Sequence, residues 1–439
     1  MSETPGSVAS ILQPLIDAAG ADRVRPADPA ADAVEGVVPR LVAAPADEEA
    51  LARVLAFCHR HRLAVAPRGG GTQLELGGIP ERLDVLVDVT PLARIVQYEP
   101  ADLTVTVQAG MRLGELQAEL GRRGQFLPVD PPTGGEATIG GLLATAASGP
   151  LRTGYSHLRD RLLGMRVVRA DGTIVRSGGR VVKNVAGYDM GRLHTGALGT
   201  LGVIVEATFK VQPLPEAWGC VQVGPLAPEA AVAPAAALEA LLAALLDAPA
   251  QPVLLEVLGP PARVLVGYAG VAAEVDFAVA EALRIAKKVL GSAGQAAAPV
   301  SWDAAHAETL AAHRSGDDAM LTLRLHGPSS QAATLLEQVV REAAAAGVPC
   351  RYAAHAAVGT LRVHLGAAAD QALEGLVQSW LPAVRRWGGN LVVERAPLPL
   401  KRAIPVWGEP PPALFLMRAL KEKFDPHRIL NPGRYVGGL

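Results

Sequence analysis

Apolar positions along this chain recur in two rhythms, one helical and one strand-like, and their alternation predicts a mixed α+β protein. After the acids Asp47, Glu48 and Glu49, which favour the positive end of a helix, apolar side chains return at Leu51, Val54, Leu55 and Cys58, the i, i+3, i+4, i+7 spacing of an amphipathic helix. A short buried strand over 63–66 follows and ends in the glycine run Gly69-Gly70-Gly71. Residues 103–108 alternate apolar and polar as a half-buried strand does, and Leu113, Leu116 and Leu120 then return at helical spacing. Two apolar runs, 165–169 and 173–176, flank Asp171-Gly172, a pair that suits a type I′ hairpin turn. The β-branched run 201–211 reads as a strand that ends before Pro213 and Pro215.

That break and the Ala/Pro-rich stretch 225–234 mark a domain boundary. Beyond it, strands over 253–258, 320–326, 360–365 and 391–394 alternate with Ala/Leu-rich helices around 233–247, 272–290, 330–346 and 370–386, which suggests a sheet backed by helices. The alanine-rich patches 294–299 and 342–346 read as helix and loop, since apolar periodicity persists around them.

Composition narrows the partners. A chain of 439 residues is too long for one ordinary core and suggests two domains. A net charge of −2 offers no basic field to nucleic acid, and Cys58, Cys220 and Cys350 match neither a CxxC metal spacing nor a disulfide framework, which fits a reducing cytoplasm. No signal peptide or membrane span is read, so any membrane contact is expected to be peripheral, through a partner.

Two glycine-rich loops carry the candidate chemistry. Pro67-Arg68-Gly69-Gly70-Gly71-Thr72 can present successive N–H groups to a diphosphate, although a plain tight turn has the same composition. Residues 131–141 form the second loop, in which Thr138 is placed to cap a helix starting at Gly140-Gly141; a β-turn before a small-residue helix reads equally well from these residues alone.

The ordered set of these loops with Val182-Lys183-Asn184-Val185-Ala186-Gly187-Tyr188-Asp189 and Gly196-Ala197-Leu198-Gly199-Thr200-Leu201-Gly202-Val203-Ile204 resembles the PCMH-type FAD-binding domain of the vanillyl-alcohol oxidase superfamily. Within it, the 182–189 run is most similar to the E-type, FAD-binding subunits of bacterial glycolate oxidases. The C-terminal run from Phe424 to Arg434 resembles the family's closing segment, with Asn431 in it. The resemblance implies an α+β fold: an N-terminal helix and extension over 1–34, a PCMH-type FAD-binding domain of two α/β subdomains over 35–215, a cap of ferredoxin-like halves over 216–423, and a return to the FAD domain over 424–439. It also implies FAD contacts at Pro67, Arg68, Gly69, Gly70, Gly71, Thr72, Pro132, Thr133, Thr138, Gly140, Gly141, Ser148, Gly149, Gly196, Gly199, Gly202, Val203, Ile204 and Asn431. The implied activity is oxidation of glycolate, a small 2-hydroxy acid, beside a large flavoprotein subunit and an iron–sulfur subunit. A self-sufficient oxidase or dehydrogenase is the alternative.

Relatives that bond FAD covalently through the first loop carry histidine there. Thr72 and Gln73 stand in this stretch, and His59 and His61 read as helix-end residues, so the FAD is expected to be non-covalent. Relatives that oxidise D-2-hydroxy acids alone carry a His-rich metal motif and substrate-clamping arginines. The nearest residues here, His326, His355, Arg362 and His364, do not form that motif, so no metal site is assigned and a sister subunit is expected to carry the substrate chemistry.

Overall fold

The computed structural model describes residues 8–179, 187–226, 234–291, 296–314, 316 and 318–439. Residues 180–186, which hold most of the run similar to the E-type glycolate oxidase subunits, lie outside that set.

The first unit holds two sheets. Strands Leu41–Ala43, Val85–Asp88 and Val65–Arg68 pair in parallel, with Val24–Pro26 antiparallel at the edge, and the helices Val8–Ala19 and Glu48–Arg60 cover them. The second helix begins where the acids predicted, with Asp47 as N-cap accepting from the Ala50 N–H at 2.7 Å. A five-stranded antiparallel sheet follows, packed with the helices Leu113–Gly121 and Ile139–Thr145.

Strand Val203–Lys210 joins the cores of both sheets. Val203 and Val205 enter the first core, while Ile204, Ala207 and Phe209 enter the second. Strict alternation would turn Ala207 the wrong way; a register shift between Ile204 and Glu206 corrects it by one residue. The hairpin at Asp171-Gly172 corrects the expected turn. Gly172 has φ +85°, but Asp171 stays at negative φ and its Oδ1 accepts from the Thr173 N–H at 3.0 Å, so the loop is not type I′.

The cap is one eight-stranded antiparallel sheet. Its first half runs Ala217–Leu226, helix Ala235–Leu246, Leu254–Gly259, Ala262–Gly270, helix Ala272–Leu290, Ala298–Val300. The second runs Leu321–His326, helix Ala332–Ala345, Cys350–His355, Thr360–Leu365, helix Asp370–Arg386, Asn390–Arg395. Each half is a β-α-β-β-α-β unit with its fourth, first, third and second strands side by side, the ferredoxin-like arrangement expected. The halves join through Leu254–Gly259 and Cys350–His355. Between them lies a helix the patterning missed, Trp302–His313, whose apolar residues are mostly small alanines and so leave little periodic signal.

The chain then returns to the first unit upstream of residue 424. The buried Lys401 Nζ meets Glu35 Oε2 at 2.6 Å, and the buried Lys421 Nζ binds Asp425 and the carbonyls of Thr200 and Leu430, each at 2.8 Å. Val65 then donates to the Ile429 carbonyl at 2.7 Å and accepts from the Asn431 N–H at 2.8 Å, a parallel bridge to Leu430 at the start of strand Val65–Arg68.

Candidate active site at two joined cavities

The first glycine loop leaves strand Val65–Arg68 and passes so close to the second that side chains are excluded. A Cβ on Gly69 would stand 2.1 Å from Thr138 Oγ1, and one on Gly70 would stand 2.5 Å from the Glu136 carbonyl oxygen. Thr138 caps the helix Ile139–Thr145, its hydroxyl accepting from the Gly141 N–H at 3.3 Å. A cleft opens beside these loops. It is lined by Pro67 through Thr72, Thr138, Gly140, Gly141, Gly199, Val203, Ile204 and Asn431, all foreseen from sequence. Gln73, Leu74, Leu76, Val89, Thr145, Leu198 and Arg434 also line it and were missed, since no glycine pattern marks them.

The fit to a dinucleotide diphosphate rests on backbone. The N–H groups of Gly71 and Thr72 meet no acceptor among the described residues, so they are open to an anion. The Arg68 side chain turns away to Asp32 at 2.9 Å and Asp88 at 3.0 Å, so it braces the loop. Asp32 is held well below the usual carboxylate range, first by its hydrogen bond to Arg25. Asn431 Oδ1 and Arg434 Nε are buried on the cleft without partners. Such groups are costly unless a ligand satisfies them. Leu198 (φ +49°) and Asn431 (φ +45°) hold left-handed backbone at the same wall, joined by a 2.6 Å bond from Asn431 Nδ2 to the Leu198 carbonyl.

A second cavity lies between this unit and the cap. The two share Gln73, Leu76 and Thr145, and Thr145 Oγ1 donates to Gln73 Oε1 at 2.6 Å at the junction. Pro132 and Ser148, expected on the flavin, line this second cavity instead. Thr133, Gly149, Gly196 and Gly202 line neither: Gly149 packs on the Asp130 backbone and Gly202 on Val167, so their smallness serves packing.

Charge in the second cavity is unbalanced. Arg362 makes a two-point bond to Glu394, Nε to Oε2 at 2.6 Å and Nη2 to Oε1 at 3.1 Å, and Arg324 Nε reaches the same carboxylate at 3.3 Å. Arg152, half-buried, has no hydrogen-bond or ion-pair partner among the described residues. Burial first, and then the nearby Arg324, depresses its pKa. Three guanidiniums thus face one carboxylate, and the cavity favours an anion. Glu394 is driven down to about 2 against its burial, Arg362 being the strongest of the charges responsible.

Behind this wall lies a buried cluster that the sequence did not bring together. Glu256 Oε2 meets His313 Nε2 at 2.8 Å, Glu256 Oε1 meets His355 Nδ1, and the two imidazoles stack at 4.0 Å. Burial raises Glu256 well above its ordinary value and lowers His313 well below. Although these are ligand-type groups, Arg362 Nη1 stands 3.4 Å from His313 Nδ1, so a fixed cation already occupies the neighbourhood. His364 is an ordinary strand histidine, bonded through Nδ1 to Thr322 Oγ1 at 3.1 Å and through Nε2 to the Ala312 carbonyl at 3.0 Å. His326 Nδ1 meets Thr360 Oγ1 at 3.3 Å. His59 and His61 pack with tilted rings against His427 and Phe57, respectively, and line neither cavity.

Comparison with known proteins follows the same division. Residues 39–178 match the family model "FAD binding domain", and 256–435 match "FAD linked oxidases, C-terminal domain". The glycolate oxidase subunit GlcD of Bacillus subtilis is 36% identical over 179 residues, 41% of this chain and 38% of that protein. The glycolate oxidase subunit GlcE of Escherichia coli is 44% identical over 132 residues, 30% of this chain and 38% of that protein. A mitochondrial D-lactate dehydrogenase (cytochrome) of Arabidopsis thaliana is 35% identical over 179 residues, 41% of this chain and 31% of that protein. The matches therefore span less than two fifths of each relative's length. Among solved structures, p-cresol methylhydroxylase with substrate bound superposes with a TM-score of 0.74 at 16% identity, covering 98% of this chain and 97% of that one, which shows the fold. Among the described residues, no helix is long and apolar enough to cross a membrane.

Proposed function

We propose, from the premise that the chain belongs to the FAD-linked oxidases with a PCMH-type FAD-binding domain, that it holds FAD non-covalently in the first cleft and oxidises a small 2-hydroxy acid in the second. Bound there, FAD supplies an acceptor for a hydride. The loop of Gly69, Gly70 and Gly71 with the Thr138-capped helix holds the diphosphate, and Asn431 and Arg434 meet polar groups of the cofactor. Thr72 and Gln73 offer no imidazole for covalent attachment.

The observation that carries the substrate reading is the unpartnered Arg152 beside Arg324, in a cavity continuous with the flavin cleft. A carboxylate placed there would neutralise part of the surplus charge and orient the neighbouring hydroxyl. This favours substrate chemistry in this chain itself over chemistry confined to a sister subunit. Similarity to both GlcD and GlcE supports a place in a glycolate-oxidase-type complex, with a large flavoprotein subunit and an iron–sulfur subunit as partners.

The test is anaerobic addition of glycolate to the purified yellow protein. Bleaching of the flavin supports the reading, and Arg152→Ala is expected to raise the glycolate concentration needed for half-maximal bleaching by about 10-fold or more, the loss of one charge-assisted contact of about 1.5–3 kcal/mol. Arg152→Lys should recover part of that loss. Absence of bleaching by glycolate, lactate and 2-hydroxyglutarate would refute the substrate reading.

A further inference from the structure

His355 stands where the buried cluster meets the substrate cavity. Its Nδ1 is bonded to Glu256, whereas its Nε2 has no partner among the described residues and the residue lines the cavity with Arg152 and Arg362. Which nitrogen carries the proton follows from the chain of donors behind it. The Arg362 guanidinium can only donate, so His313 Nδ1, 3.4 Å from Arg362 Nη1, must accept. Neutral His313 then carries its proton on Nε2 and donates it to Glu256 Oε2 at 2.8 Å. With Glu256 as the carboxylate, Oε1 takes a second hydrogen bond from His355 Nδ1–H. His355 is left with a bare lone pair at Nε2, and the residue lines the cavity.

We propose that His355 Nε2 takes the hydroxyl proton of the bound 2-hydroxy acid, and that Glu256, His313 and Arg362 are positioning residues that hold His355 in the Nδ1–H tautomer. This rests on the hydroxy-acid reading above. The balance is simple: the substrate loses its O–H proton to His355 Nε2 and its C2–H, with the bonding electron pair, to the flavin acceptor, and leaves as a 2-oxo acid.

The surroundings keep the imidazole neutral until substrate arrives. Burial, then Arg362 and Arg152, push its pKa down to about 3, so the lone pair is free at any ordinary pH. An incoming carboxylate paired with Arg152 cancels part of the positive field that depresses it. Basicity therefore rises when the proton must be taken, which couples binding to proton transfer. The buried Glu256 carboxylate, with a donor at each oxygen, stabilises the imidazolium that forms. A bound metal would need the same Nε2 or Nδ1 lone pairs, and Arg362 opposes it by charge.

The test uses FAD-loaded protein labelled with ¹⁵N-histidine. The ring-nitrogen signals assigned to His355 by their loss in His355→Gln are expected to show protonated Nδ1 and unprotonated Nε2. Glu256→Gln, nearly isosteric, should populate both tautomers. An Nε2–H tautomer in the wild type overturns the proposal whether or not a substrate has been found. In anaerobic glycolate bleaching, His355→Gln should slow reduction by about 10²–10⁴-fold, with glycolate binding, read from the shift of the oxidised flavin spectrum, changed less than about 3-fold. Glu256→Gln should slow it by about 10–100-fold, by analogy with removal of an orienting partner, and it serves if His355→Gln loads FAD poorly. A bleached wild type with His355→Gln equally fast overturns the base. A wild type that no 2-hydroxy acid bleaches overturns the function reading, and the tautomer then decides the positioning claim alone. Stoichiometric metal in the wild type that is lost in His355→Gln would also overturn it.

Discussion

Replacing Gly69 by alanine isolates what the first loop does for the cofactor. Gly69 does not have positive φ, so alanine meets no backbone penalty there and the whole effect comes from contact. The added Cβ would stand 2.1 Å from Thr138 Oγ1 and 3.2 Å from Thr138 Cβ, distances that require Thr138 to move. Thr138 Oγ1 accepts from the Gly141 N–H at 3.3 Å and, more weakly, from the Gly70 N–H at 3.4 Å, so its displacement uncaps the helix and loosens the loop together. Loss of a threonine cap costs about 0.5–2 kcal/mol. If that cost is felt in binding, at about 1.4 kcal/mol per decade the FAD dissociation constant rises by roughly 2- to 30-fold, before any loss of diphosphate contacts. The assay is reconstitution of acid-stripped protein with FAD, followed by quenching of flavin fluorescence. A Gly69→Ala protein with wild-type FAD affinity and thermal stability would refute the reasoning, because it would show the two loops are not in contact where FAD binds.

Three further outcomes follow from positions away from the site. Gly375, exposed within helix Asp370–Arg386 with nothing near its virtual Cβ, should gain about 0.5–1 kcal/mol on Gly375→Ala, seen as a higher denaturation midpoint. Trp380→Ala should cost about 3–5 kcal/mol by denaturant unfolding, since the ring is fully buried and its Nε1 donates to Glu342 at 2.9 Å. Burial lowers His194 and His364 to about 4, so the unfolded chain binds protons first as pH falls. Each contributes stability that is complete above about pH 6.5 and declines by about 1.4 kcal/mol per pH unit toward pH 4, and His194→Gln should reduce the slope of unfolding free energy against pH across that window.

The parts of this molecule legible in sequence are those where one local rule decides. Asp47 and Thr138 cap helices because their oxygens suit free N–H groups, and helix Ala272–Leu290 matches its apolar period to the residue. The two ferredoxin-like halves were accessible through resemblance, and their strand order follows from the chain. What could not be read depends on distance along the chain. Glu256, His313 and His355 lie on three separate elements, and no local pattern signals that a strand pairing and a weakly periodic helix will bring them together. Arg68 lines the first cleft, but that its side chain is held by Asp32, far upstream, could not be read from the loop. Pro132 and Ser148 line the second cavity, while most of the helix Ile139–Thr145 between them lines the first, a division that linear order does not reveal.

The chain around the second flavin loop is held by the helix Trp302–His313 and the residue after it, and the arrangement explains why a cap element of such plain sequence belongs to the site. Toward the flavin unit its His306 Nε2 meets the buried Asp130 at 2.7 Å, and the following Arg314 Nε donates to the Pro132 carbonyl at 2.9 Å. Asp130 also accepts from the Leu151 N–H at 3.1 Å, immediately before Arg152. At its C-terminal end, next to Arg314, the same helix supplies His313 to Glu256. One rigid rod therefore ties the second flavin loop, the arginine that would meet a carboxylate, and the histidine that would take the proton. Proton and hydride transfer from one small molecule demand that all three keep their spacing to within a fraction of an ångström. A flexible cap could not meet that demand, and a helix anchored by hydrogen bonds at its middle and at its C-terminal end can.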